Sequence, residues 1–125
     1  MILIFGGAWQ GKLDYALERF SASAGDVRFC PDGDVTPPSA LIIHGFEKWI
    51  LALVDAGRDV KAETAAFIEA CPDAVVISRD ISCGVVPVEA RLRAWRDETG
   101  CALAMVAGAS SEAVRMFCGI PSRVK

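Results

Sequence analysis

The sequence predicts an α/β domain in three layers, with helices on both faces of a mostly parallel sheet. Three observations carry that expectation. The runs MILIF, ALIIH and AVVIS are short, apolar and uninterrupted, as strands buried on both faces are. Between them, apolar residues recur at helical spacing. The composition agrees, because 53% hydrophobic residues and a mean hydropathy of +0.36 argue against disorder.

Taken in order, Met1 to Phe5 reads as a strand that runs into the turn Gly6-Gly7. From Gly11 the pattern turns helical, with Leu13, Leu17 and Phe20 on one face, and Ser21 to Gly25 ends that helix. Val27–Cys30 is a short strand, and Pro31–Ser39 is a loop by its prolines and aspartates. The strand ALIIH ends at His44-Gly45. A helix follows whose apolar face is Phe46, Trp49, Ile50, Leu53 and Val54, ending near Gly57. KAETAAFIEAC is a further helix, stopped by Pro72, and AVVIS is the third buried strand. A loop, RDISCGVVPVE, leads into a helix that Gly100 is expected to close. A separate Ala-rich helix then runs to about Ser110, Ser111-Glu112 forms a turn, and AVRMFCG with SRVK closes the chain as a strand or hairpin.

The 125 residues suit one domain with no linker or repeat. A formal charge of -3 offers no electrostatic footing for nucleic acid or an anionic membrane. No apolar run approaches the ~20 residues that cross a bilayer. MILIF lacks the basic start and cleavage site of a signal peptide, which predicts a cytoplasmic protein. The five cysteines are odd in number and never spaced C-x-x-C, so neither zinc nor a disulfide framework is expected. Cys71, Cys101 and Cys118 are read as small buried thiols.

Gly6 to Lys12 (GGAWQGK) spell G-x-x-x-x-G-K directly after a strand and before an amphipathic helix. Glycines let successive backbone N–H groups turn toward one anion, the lysine reaches its outer phosphates, and the helix adds its positive N-terminus. Gly6, Gly7, Ala8, Trp9, Gln10, Gly11, Lys12 and Leu13 are therefore the candidate phosphate cradle. Where such loops carry Ser or Thr, whose hydroxyl helps hold Mg²⁺, this chain has Leu13.

Beyond the loop, the chain resembles the bifunctional adenosylcobinamide kinase and adenosylcobinamide-phosphate guanylyltransferase family of cobalamin synthesis. MILIFGGAWQGK is similar to that family's opening strand and loop. GVVPVEARLRAWRDETG carries its second signature at Gly84, Val86, Pro87, Arg93, Arg96, Asp97 and Gly100, with Trp95 in the aromatic place. CGIPSRVK resembles its terminal hairpin. The resemblance implies a P-loop (RecA-like) fold, GTP or ATP as the nucleotide, a cobinamide-type corrinoid as a second ligand, and a homo-oligomer. It also exposes departures. Leu13 stands for Ser or Thr, and His44 for an acidic residue that supports the metal. Arg79-Asp80 stands for an Asn-Glu pair, and Leu103-Ala104 for Asn-Gln. The segment that carries the guanylylated histidine is reduced to Pro31–Ser39, which has no histidine.

Other candidates follow from these positions. Asp80 is the remaining carboxylate at a strand end, suited to a metal or a substrate hydroxyl, and joins Lys12 as a candidate catalytic residue. Arg93 and Arg96, three apart, share a helix face that either holds phosphate or is solvated and paired with Asp97 and Glu89. His44 is either a strand-end histidine satisfied by hydrogen bonds or a carrier of nucleotide. Trp9 either stacks on a base or packs against protein. Asp14 is expected to face away from the metal position.

The resulting expectation is a single domain, 1–125, with a mostly parallel sheet, a C-terminal β-hairpin and a nucleotide-binding loop. Guanylyl transfer is expected to be absent and kinase activity weak or lost. No metal ligands are assigned, and the part played by Mg²⁺ is left open by Leu13 and His44. The alternative is a non-catalytic regulatory or assembly module with a degenerate loop.

Overall fold

The computed structural model describes all 125 residues. Six strands form one sheet in the order β2-β3-β4-β1-β5-β6: β1 (Ile2–Gly6), β2 (Val27–Phe29), β3 (Ile42–His44), β4 (Val75–Arg79), β5 (Glu112–Phe117) and β6 (Ile120–Arg123). All neighbours are parallel except β5 and β6, which form the antiparallel terminal hairpin. The four helices are α1 (Lys12–Arg19), α2 (Phe46–Asp55), α3 (Val60–Ala70) and α4 (Ala90–Ala109).

Alternation along each strand divides the core. Leu3, Ile43, Val76 and Ala113 face α2, α3 and α4, where Phe46, Trp49 and Phe67 pack ring against ring with centroids 5.4–5.6 Å apart. Ile4, Ile42, Val75, Ile77, Val114 and Met116 face α1 through Ala16 and Leu13. Helices therefore cover both faces, as the unbroken apolar strands require.

The register positions the site. Gly6 of β1 pairs with Arg79 of β4, and Ile77 of β4 pairs with His44 of β3. The carboxyl ends of these three parallel strands open on the same edge, the place where α/β sheets hold ligands. His44 is not beside the loop strand, since β4 lies between, but it borders the same opening.

Three sequence expectations are corrected. Gly100 does not close a helix. The core-facing stripe Trp95, Thr99, Ala102, Val106 runs straight through it, and α4 is one helix of 20 residues. Burial of that stripe outweighs the ~1 kcal/mol that a mid-helix glycine costs. Glu112 begins β5 rather than completing a turn, because it pairs with Ile2 of β1 while its carboxylate is held by Arg19 at the end of α1 at 2.7 and 2.8 Å. Finally, Cys101 and Cys118 are exposed and Cys71 is half-buried, whereas the buried thiol is Cys30. Cys101 lies off the buried stripe of α4, and Cys118 lies at the tip of the hairpin.

Candidate functional site

The glycine loop leaves β1 at Gly6, whose φ is +147°. A Cβ there would lie 2.4 Å from the carbonyl oxygen of Met116, so glycine alone lets the loop pass so close to β5. Gly11, at φ +75°, turns the chain into α1, and Lys12 is the first helical residue. The Gln10 side-chain oxygen accepts from the backbone N–H of Cys118, which ties the loop to the terminal hairpin.

Lys12 is only 6% exposed. Its ammonium donates to the carbonyl of Gly6 at 3.2 Å and to that of Gly7. The loop is thus wrapped around its own cation. Burial pushes the Lys12 pKa down, Glu47 raises it, and Arg79 lowers it further. Trp9 is fully exposed at the crest of the loop, with φ +57°.

Beneath the loop lies a cleft of about 630 Å³. Ala8 to Asp14 form one wall. Phe29, Cys30, His44, Gly45, Glu47 and Lys48 form the other, and Ile77, Ser78 and Arg79 lie along the end of β4. Three cationic side chains, Lys12, Lys48 and Arg79, border it. Lys48 pairs with Asp32 at 3.1 Å. Arg79 has a side chain 43% exposed and is held by Glu47.

Glu47 organises this floor. It is 2% exposed, and both of its carboxylate oxygens are engaged. Oε2 accepts from Ser78 Oγ at 3.2 Å and from the Arg79 backbone N–H at 3.0 Å, while Oε1 accepts from Arg79 Nε at 2.7 Å. The sequence reading missed it. The signal was present, since Glu47 stands three residues before Ile50, a lone acid on the apolar face of α2.

His44 packs its imidazole against the ring of Phe29, with centroids 5.0 Å apart, and is not held by hydrogen bonds. Burial lowers its pKa; Glu47 opposes that shift, and Lys12, Lys48 and Arg79 reinforce it. Cys30, beside it, is pushed up to about 11, chiefly by burial and then by Glu47, so its thiol is protonated at neutral pH.

The structure gathers Lys12, Leu13 and His44 around one cleft and separates Asp80, Arg93 and Arg96 from it. Asp80 borders a second depression of about 340 Å³, between α4 and the hairpin. Burial would raise its carboxyl, but hydrogen bonds from Ser82 and Cys83 prevail and hold it below the usual range. Arg93 donates to the carbonyls of Pro87 and Val88, and Arg96 to that of Ser82 at 2.6 Å. These two arginines brace the loop before α4 rather than pairing with Asp97 and Glu89. Asp14, expected to face elsewhere, borders the cleft at its exposed rim.

The donor set does not fit Mg²⁺ at the expected positions. Leu13 has no oxygen, His44 offers a nitrogen to a cation that prefers hard oxygens, and Glu47 has no free carboxylate oxygen. No group of three or more His, Cys, Asp or Glu side chains is arranged for a metal ion.

The family model described as cobinamide kinase / cobinamide phosphate guanyltransferase matches residues 34–124, well over half of the chain. The matched stretch takes in His44, Glu47, Arg79, the braced loop and the terminal hairpin, and it begins after the glycine loop. No curated protein matches the chain.

Proposed function

Because the chain belongs to the cobinamide kinase / cobinamide phosphate guanyltransferase family, we propose that its cleft binds a nucleoside triphosphate, GTP or ATP, with the glycine loop around the phosphates. The observation that carries this reading is the buried Lys12 ammonium, seated on the Gly6 and Gly7 carbonyls at the head of α1 and facing a cleft bordered by two further cations. Guanylyl transfer is absent in this reading. The segment Pro31–Ser39 has no histidine, and the only histidine of the chain, His44, is packed half-buried against Phe29. Kinase activity on a cobinamide-type corrinoid is weak or lost, because phosphoryl transfer depends on positioning and charge neutralisation and the metal supports are replaced.

The test is incubation with GTP labelled at the α-phosphate, followed by denaturation and counting. No label should stay on the protein. Label that stays, and that His44→Ala removes, would overturn the loss of guanylyl transfer. A parallel assay with γ-labelled nucleotide and adenosylcobinamide should yield little or no labelled corrinoid.

A second reading, a nucleotide-holding regulatory or assembly module, is favoured by the same replacements at Leu13 and His44. Self-association belongs to either reading, supported by exposed Phe117, Ile120 and Val124 along the hairpin. The protein works in the cytoplasm in this account; no helix is long and apolar enough to cross a membrane.

A further inference from the structure

We propose that Arg79 contacts the terminal phosphates of the ligand in this cleft, so that polyphosphate is recognised there without Mg²⁺. The inference rests on the reading that the cleft binds a phosphate-bearing nucleotide, and it names the residue that completes the site. Four features of the structure support it.

The pairing of Gly6 with Arg79 puts the guanidinium at the strand end next to the start of the glycine loop. Glu47 holds Arg79 by its backbone N–H and by Nε only, which leaves the two terminal amino groups without a hydrogen bond to protein. Those amino groups belong to a half-exposed side chain bordering the same cleft as Lys12. Leu13 and His44 offer no hard oxygen, the Asp14 carboxylate is a single donor at the exposed rim, and a divalent ion set between Lys12 and Arg79 would be repelled by both.

A guanidinium anchored on one edge presents its other edge as a rigid fork. That fork matches two oxygens of a phosphate, which a lysine ammonium cannot do. Glu47 is the positioning residue: its buried carboxylate selects Nε and so directs the free edge outward. Because Oε1 and Oε2 are both occupied, Glu47 is itself fixed in place as it aims Arg79.

The test is calorimetric titration with inorganic tripolyphosphate, GTP and GMP, each in EDTA and in excess Mg²⁺. Tripolyphosphate and GTP should bind in EDTA at least as tightly as in Mg²⁺. Arg79→Ala leaves the buried Glu47 carboxylate without its counter-cation, so the neutral pair Glu47→Gln/Arg79→Met is measured beside it. Both variants should lose about tenfold or more for tripolyphosphate and GTP and much less for GMP. The ratio of triphosphate to monophosphate affinity is insensitive to the fraction folded, so a merely structural role would leave it unmoved. Binding that disappears in EDTA, or an unchanged ratio in both variants, overturns the inference. If Lys12→Ala abolishes binding while the Arg79 variants keep the parent ratio, the nucleotide reading stands and this inference falls. No binding of any probe to the unaltered protein sinks both.

Discussion

Glu47 holds Arg79 at two points, Oε2 to the backbone N–H at 3.0 Å and Oε1 to Nε at 2.7 Å, from a position 2% exposed at the start of α2. This contact fastens α2 to the end of β4 and shapes the cleft floor. Removing the carboxylate with Glu47→Ala strands the Arg79 backbone N–H and releases the half-exposed guanidinium, while the Ser78 hydroxyl keeps the Arg79 carbonyl as its acceptor. The expected loss is about 1–3 kcal/mol of unfolding free energy, read by urea denaturation. A loss below about 1 kcal/mol would mean that solvent replaces the carboxylate at no cost.

Gly6→Ala forces a side chain into backbone. Its φ of +147° is already costly for an L-residue, by about 1–3 kcal/mol. The new Cβ would also lie 2.4 Å from Met116 O, so β1 and β5 must part. Lower stability together with weakened nucleotide binding is expected, measured by thermal melts and titration. A variant with parental stability would show that the loop leaves β1 by another path.

The structure's single histidine gives a pH signature. Burial lowers the His44 pKa below its ordinary 6.5, so the unfolded chain takes up the proton first as pH falls. Stability is therefore fully present above pH 6.5 and is lost as pH drops through the folded value, by at most about 1.4 kcal/mol per pH unit. The lowered carboxylates Asp26, Asp34, Asp55, Asp80 and Glu112 act further down, from about pH 4. Denaturant midpoints between pH 5 and 7 should fall for the parent and stay level for His44→Gln. A parallel decline in both would remove His44 as the cause.

Much of this architecture was legible from pattern alone. Short apolar runs separated by helical stripes gave the parallel sheet, and the loop glycines sit where a strand-to-helix turn demands them. Gly100 misled because a glycine's local preference was weighed without the stripe from Trp95 to Val106 that packs through it. The site was half legible. Lys12, Leu13 and His44 border one cleft although β4 separates the strand of His44 from the loop strand, an order that the motif does not specify. Asp80 and Arg79 are neighbours in sequence, yet alternation along β4 sends them to opposite sides, toward different depressions. Glu47 and Arg79 stand 32 residues apart, and only tertiary packing pairs them.

The proposed site stands or falls with Lys12 and its loop holding a nucleoside triphosphate. Equilibrium dialysis of GTP and ATP against the unaltered protein and Lys12→Ala tests it most directly. The unaltered protein should bind saturably, with an affinity at least about tenfold weaker in Lys12→Ala. Equal binding by the two proteins, or none at millimolar nucleotide, would contradict it.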